Sequence, residues 1–437
     1  MEYATDVDKW LEKNKDEILE TLSELIQIKT ENLPPGGNEK KGQEYLYNKI
    51  TKFIPERDID IFEIDDIEDI RENPLFFPTI DGIKKKYKDR PNLVAKLRGE
   101  GESKSLLFSG HMDTMPASGE KWKIFEDPFS GKIRDGKMYG RGSIDMKAGT
   151  LSGFYTLKCL KDLRVRLSGN VYAESVVDEE NGGVNGTIAA RMKYPDIDFA
   201  ILAEPTGLAV GIESIGGSDW KVSVMEKGPG GIGTDIELIN PIYKLSKIAL
   251  ALEKYDNEMN KNIKLPDSFD KSMKLRLLTY QFSSGGSTYL ESGSVPTEGH
   301  IAFWLETFKY MKEEEVRKNF IDFMKKELGK YNDFRNNFPR FETVIRFMSG
   351  HKTNKDHPAM SSIRKAYKIS NLEYKEEGLG FACDAYAFKE VSNTDVVVIG
   401  PAGTNPHGID EYVEIDSVFK LIKIMVLTAI DYCSNGS

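Results

Sequence analysis

Ser105-Leu106-Leu107-Phe108-Ser109-Gly110-His111-Met112-Asp113-Thr114 passes from a short apolar run into a His-x-Asp. An apolar run bounded by Gly and charge suits a buried strand. In open α/β sheets, ligands gather at the carboxyl ends of the strands. His111 at such an end could coordinate a metal, and Asp113, two residues on along an extended chain, lies on the same side. Its carboxylate could then accept the imidazole's other N–H and fix the tautomer. A lone His in a polar loop would give the same tripeptide, so the neighbouring segments must arbitrate.

Outward from this stretch, the same arrangement recurs. Tyr139-Gly140-Arg141-Gly142-Ser143-Ile144-Asp145-Met146-Lys147-Ala148-Gly149 places Asp145 just before a helical stretch. An N-cap would explain that Asp equally well. Asp178-Glu179-Glu180-Asn181-Gly182-Gly183 follows the apolar run Val171–Val177. Adjacent acids at a strand end repel one another unless a cation or basic partner neutralises them, although an acidic chain also has solvated acidic turns. Glu204 follows Phe199–Ala203, and Gly400-Pro401-Ala402-Gly403-Thr404-Asn405-Pro406-His407-Gly408 follows Val396–Ile399. Five strand ends thus present His, Asp, Glu-Glu, Glu and His in order. Two His and several carboxylates, with no cysteine among them, suit two divalent ions such as zinc, cobalt or manganese.

The composition agrees. The chain has 437 residues, 60 Lys+Arg, 70 Asp+Glu, a net charge of −10 and only five His. Its length suggests two or three domains with a sizeable core. Phosphate binding needs a basic face, so the charge argues against a nucleic-acid partner. Cys159, Cys383 and Cys433 are too few for a disulfide framework or a cysteine metal cluster, which points to a reducing cytosol. The N-terminal stretch has no apolar core behind basic residues, and nowhere do about 18 apolar residues run together, so neither a secretory signal nor a membrane span is expected.

Helices are expected over the first residues up to the turn Pro34-Pro35-Gly36-Gly37, over Glu39–Phe53 and over Gly149–Leu163. Residues 57–90, with the run Lys84-Lys85-Lys86, read as a solvated surface insertion. Strands alternating with helices from Asn92 onward argue for an α/β sheet covered on both faces. Near residue 215 the texture changes: a strand and a Gly-rich stretch precede helices at Pro241–Tyr255 and Glu313–Leu328, with the strand Gly299–Thr307 between them. The expected architecture is a three-layer α/β domain with a mostly parallel sheet (1–214 and 347–437), interrupted by a smaller α+β domain (215–346).

The anchors SGHMDT, GRGSIDMKAG, DEENGG, AEPT and NPHGIDEYVEI resemble, in order and spacing, the acetylornithine deacetylase, succinyl-diaminopimelate desuccinylase and aminoacylase family of di-zinc metallopeptidases and amidohydrolases. The resemblance runs from the first helix to the last, and the inserted domain corresponds to that family's lid or dimerisation domain. It implies that His111, Glu180, Glu204 and His407 ligate one or other of two metal ions and that Asp145 bridges them. It further implies that Asp113 orients His111, that Glu179 is the general base, and that the Asp145–Met146 peptide is cis.

Three positions depart from the family pattern. The family's lid carries a His in a GGHS-like turn that helps to stabilise the oxyanion; here the turn reads Gly228-Pro229-Gly230-Gly231-Ile232-Gly233, nine residues before an Asn240 helix start. Backbone N–H groups of those glycines could serve as donors, or His300 could, although a structural strand residue is the plainer reading of His300. An Arg expected ten residues after Pro296 is Glu306, and Ser-Asp-x-Arg becomes Cys383-Asp384-Ala385-Tyr386. Two guanidinium forks suited to a carboxylate are replaced by an acid and a phenol. The substrate is therefore expected to lack the usual free carboxylate, or to carry a cationic group for Glu306 or Asp384, with Tyr386 nearby.

The reading that results is a cytoplasmic di-metal hydrolase of small peptides or acylated amines, with a homodimer through the lid as a possibility that the resemblance raises. The alternative is a metal-binding member that has lost hydrolysis and acts as a binding or regulatory protein. The retained Glu179 argues against that alternative.

Overall fold

The computed structural model describes residues 3–101, 103–117, 119, 121–182, 184–225, 240–285, 295–335 and 337–434. The chain forms two compact units, one of residues 1–213, 352–379 and 383–437, the other of residues 214–351 and 380–382. The second crossing thus falls a few residues later than the texture change at 346 suggested, because the strand Arg340–Met348 belongs to the inserted unit's sheet.

The first unit is built on an eight-stranded sheet. Its order is Ile59–Glu63, Pro91–Leu97, Gly169–Val176, Ser103–His111, Phe199–Leu202, Asp395–Val398, Val210–Ser214 and Glu376–Leu379. The central pairings are parallel, and antiparallel strands flank them. Phe199–Leu202 and Val396–Val398 are wholly buried, as continuous apolar runs in a sheet covered on both faces should be. The helix Ala148–Asp162 is buried on nearly every side, packing on Ser103–His111 and on the closing helix Ile415–Ser434. Gly149 makes this packing possible: a Cβ there would stand 2.2 Å from the Ala203 carbonyl oxygen. The missing side chain lets the helix after the Asp145 turn pack beside the end of the strand that precedes Glu204.

Residues 57–90 are not the solvated insertion that their charge pattern suggested. Ile59–Glu63 adds an edge strand to the sheet. The Lys85 side chain, 2% exposed, lies 3.0 Å from Asp178, and Arg90 is buried against Glu39. Charges enter an interior only when paired, and a one-dimensional sequence does not display partners so far away.

The inserted unit carries an antiparallel sheet in the order Leu277–Ser284, Glu298–Thr307, Gly216–Met225 and Arg340–Met348. Trp220, Val222, Ile301 and Phe303 alternate onto one face, where Leu245, Ile248 and Leu252 of Pro241–Met259 and Phe320 and Met324 of Glu313–Leu328 complete a core. The apolar stripes of both helices are therefore used within their own unit.

Candidate metal centre

Strand ends converge in the first unit. His111 closes Ser103–His111. Asp145 lies in the turn Ser143–Lys147, where its peptide to Met146 is cis. Glu179 and Glu180 follow Gly169–Val176, and Glu204 follows Phe199–Leu202. His407 sits in a loop with a left-handed backbone, φ +62°.

The two imidazoles meet at one carboxylate. His111 Nε2 is 3.2 Å from Asp145 Oδ1, and His407 Nε2 is 3.1 Å from Asp145 Oδ2. Around His111 Nε2 stand Glu204 Oε1 at 3.7 Å and Glu179 Oε2 at 3.9 Å. Around His407 Nε2 stands Glu180 Oε2 at 2.8 Å. Donor atoms of His111, Asp145 and Glu180, and likewise of His111, Glu179 and Glu204, all lie within 4.8 Å of one another.

Asp113 acts differently from the expectation. Its main-chain carbonyl, 2.9 Å from His111 Nδ1, is the imidazole's partner, whereas its carboxylate Oδ1 is 3.7 Å away. Its Oδ2 instead accepts from Asn32 Nδ2 at 2.8 Å and from the Glu180 N–H at 3.0 Å. A turn brings the carbonyl nearer than the side chain, so the oxygen that fixes the His111 tautomer is backbone. With Nδ1 donating, Nε2 presents a lone pair to the cluster.

Electrostatics in this pocket are one-sided. Burial drives Glu179 well above the carboxylate range, and Asp384, Glu180 and Asp145 add to it against the pull of His111. Burial, reinforced by Asp145, likewise raises Glu180 and Glu204. Burial also acts on Asp145, but hydrogen bonds from His111 and His407 win and lower it. Burial opposes charge on His407, yet Glu180 and Asp145 push it up to about 11. The same balance, with Asp145 and Glu204 prevailing over burial, raises His111. Four largely buried carboxylates around two imidazoles ask for cations. His111 Nε2 is moreover buried, with Asp145 Oδ1 at 3.2 Å. The donor set of two nitrogens and carboxylate oxygens, with no sulfur, fits zinc, cobalt or manganese.

Of the remaining candidates, Asp384 stands near enough to act on Glu179 and Glu204, whereas Glu306 and His300 lie in the inserted unit. Asp384 and Tyr386 are each 1% exposed, and the Asp384 carboxylate takes a hydrogen bond from the Thr187 hydroxyl. Glu306 lies in the inserted unit, where Arg276 NH2 is 2.8 Å from its Oε1 and the Arg276 N–H donates to its Oε2. That carboxylate is already neutralised, which corrects the expectation of a free acid for a cationic substrate. His300 is half-buried on Glu298–Thr307, opposite Ser223 and Ser283. The turn Gly228–Gly233 lies outside the described residues; Asn240 does cap its helix, accepting from the Ile242 N–H.

Sequence reasoning passed over several supports. Asn32 holds Asp113, and Lys147 donates to the Leu25 and Ile28 carbonyls from a fully buried position. Arg141 and Glu411 form a buried pair with NH1 2.8 Å from Oε2. Arg141 and Glu411 each stand four positions from a candidate ligand, Asp145 and His407, and that spacing was the one signal available.

The description of peptidase family M20/M25/M40 matches residues 107–431. The chain is 33% identical over 176 residues to a succinyl-diaminopimelate desuccinylase of Methylobacterium radiotolerans, covering 38% of this chain and 44% of that one. It is 26% identical over 451 residues to a probable succinyl-diaminopimelate desuccinylase of Staphylococcus aureus, covering 96% of this chain and 98% of that one. Human carnosine dipeptidase 1 shares the fold, with a TM-score of 0.72 at 17% identity over 99% of this chain and all of that one.

Proposed function

The chain belongs to peptidase family M20/M25/M40, and on that premise we propose that it hydrolyses an amide or peptide bond of a small substrate, with Glu179 as general base. His111 and Glu204 would hold one divalent ion, Glu180 and His407 the other, and Asp145 would lie between them. Two such ions, when bound, would supply Lewis acidity at the scissile carbonyl and a more acidic water.

The observation that carries this reading is the pair of contacts at Asp145, whose two oxygens each face a different imidazole at 3.2 and 3.1 Å. Glu179 stands at the edge of this arrangement with a proton affinity raised by burial. A carboxylate in that state can take a proton from the attacking water and return it to the leaving nitrogen. Asp113, through its carbonyl and its carboxylate, fixes His111 on one side and the Glu180 backbone on the other.

The substrate we propose lacks the free carboxylate that an Arg pair would clasp. Glu306 and Tyr386 stand where the two Arg would be, so a substrate without that carboxylate fits better than an N-acyl-α-amino acid. The edge strand Leu277–Ser284 exposes Leu278, Tyr280 and Phe282, which supports a homodimer through the inserted unit. No helix among the described residues is long and apolar enough to cross a membrane.

The test is a panel of dipeptides, N-succinyl amines and N-acyl-amino acids, assayed with zinc, cobalt or manganese beside Glu179→Gln. Turnover should fall about 10²–10⁴-fold in the variant while bound metal stays the same. Equal turnover by the variant would remove Glu179 from the role, and preference for N-acyl-α-amino acids would remove the proposed substrate class. Absence of metal-dependent turnover on every amide would return the binding-protein alternative.

A further inference from the structure

We propose that the buried pair Arg141–Glu411 is the positioning device for the second ion pocket, holding the loop of His407 against the turn of Asp145. The proposal rests on the two-ion reading above. A small sheet in the order Gly403–Thr404, Tyr412–Glu414, Lys137–Tyr139 and Lys132–Arg134 ties the two segments together. Within it Tyr412 is paired with Tyr139 and Val413 with Met138. Where the pairing ends, the Gly140 N–H donates to the Glu411 carbonyl at 3.0 Å, and the side chains take over.

Arg141 spans both segments. Its NH1 donates to Glu411 Oε2 at 2.8 Å and its NH2 to the His407 carbonyl at 2.9 Å. The other Glu411 oxygen, Oε1, accepts the N–H groups of Ile144 at 3.1 Å and Asp145 at 3.3 Å. One carboxylate thus grips the main chain at Asp145, one guanidinium grips the main chain at His407, and the two grip each other. Both side chains are almost wholly buried, where such bonds are strong and unscreened.

His407 needs this support. Its side chain is 50% exposed, and Asn405, His407 and Asp410 all adopt left-handed backbone at φ +58°, +62° and +56°. Non-glycine residues leave that region unless neighbours hold them in it. His111 and Glu204, by contrast, sit at the ends of central strands of the large sheet. Loss of the pair should therefore weaken the pocket of His407 more than that of His111, which shares only Asp145 with it. A planar fork is required as well, since Lys offers a point charge rather than two divergent donors.

A zinc titration against a chromophoric chelator tests this, with circular dichroism on the same samples. The proteins are wild type, His407→Ala, Arg141→Met, Arg141→Lys, Glu411→Gln and the double variant Arg141→Met/Glu411→Leu. The expected result is one ion weakened about 10–100-fold, as in His407→Ala, and the other weakened less, with Arg141→Lys intermediate. The double variant leaves no unpaired buried charge and decides the matter if a single variant does not fold. A folded double variant that holds both ions at wild-type affinity, or weakens both alike, overturns the proposal. Wild type binding fewer than two ions overturns the two-ion reading, and the proposal with it.

Discussion

Asn32 Nδ2 donates to Asp113 Oδ2 at 2.8 Å, so a residue of an N-terminal turn sets the carboxylate that receives the Glu180 backbone. The same amide reaches Asp178 at 3.4 Å, and its Oδ1 accepts from Arg90 at 3.1 Å. Asn32→Ala removes the donor and leaves Asp113 Oδ2 with the Glu180 N–H. Partners of ligand-bearing loops are worth about 10–100-fold in metal affinity or activity, and a loss of that size in kcat/KM is expected. Steady-state kinetics on a correctly folded variant checks it; wild-type kinetics would show that Asp113 is held by the backbone alone.

Lys85→Met should destabilise the first unit by about 3 kcal/mol, because deleting one member of a buried pair strands the other charge. Asp178 keeps Tyr87 and Asn185 as donors, and Arg90 at 3.6 Å, which places the loss at the low end for buried pairs. Urea unfolding measures it. A change within about 0.5 kcal/mol, typical of surface sites, would mean that Lys85 is solvated after all.

Stripping the protein with a chelator should abolish turnover and lower the melting temperature together. Burial first, and neighbouring acids second, raise the proton affinities of Glu179, Glu180 and Glu204, and a cation offsets both costs. An ion at one hundred times its Kd adds about 2.7 kcal/mol of stability. Differential scanning calorimetry with increasing zinc, cobalt or manganese reads the gain; a melting temperature indifferent to every ion would contradict it.

Glu376 provides a pH dependence remote from this centre. Burial opposes its charge, but hydrogen bonds from Tyr374, Arg364 and Lys355 prevail and lower its pKa to about 2. A lowered carboxylate contributes stability that is fully present above the unfolded value of 4.5 and lost as pH falls towards 2. Arg364 and Lys355 are about half exposed, so solvent screens them and the contribution is about 1–2 kcal/mol. Wild type should exceed Glu376→Gln by that amount at pH 7, with the gap closing between pH 4.5 and 2. A gap that stays constant with pH would assign the effect to packing.

Phe320→Ala should cost the inserted unit about 3–5 kcal/mol. Its ring lies 5.4 Å from Trp220, 5.1 Å from Tyr255 and 5.2 Å from Phe341, centroid to centroid. Thermal melts followed by near-ultraviolet dichroism report directly on these aromatic neighbours; an unchanged signal would mean that the unit has no such core.

Legibility followed the range of the interactions. Apolar runs such as Phe199–Leu202 announce buried strands, and His111, Glu179, Glu180 and Glu204 each stand a few residues after such a run, whereas Asp145 and His407, in a turn and a loop, entered through the resemblance. The helices at 241 and 313 were equally plain, because a stripe at helical spacing is a local pattern. Lys85, Arg90, Arg141 and Glu411 could not be read in this way. A buried charge looks like a solvated one until its partner is known, and Asp178 is far along the chain from Lys85. Glu306 misled for the same reason: the acid was visible, but the Arg276 that neutralises it was not.

The strand Asp395–Val398 lies between Phe199–Leu202 and Val210–Ser214, both of which leave the ribosome long before it. A nascent chain must therefore carry a vacant slot in its principal sheet through the whole synthesis of the inserted unit. Translation that stops early yields a sheet with its seam unsewn and exposed strand edges, without the second imidazole.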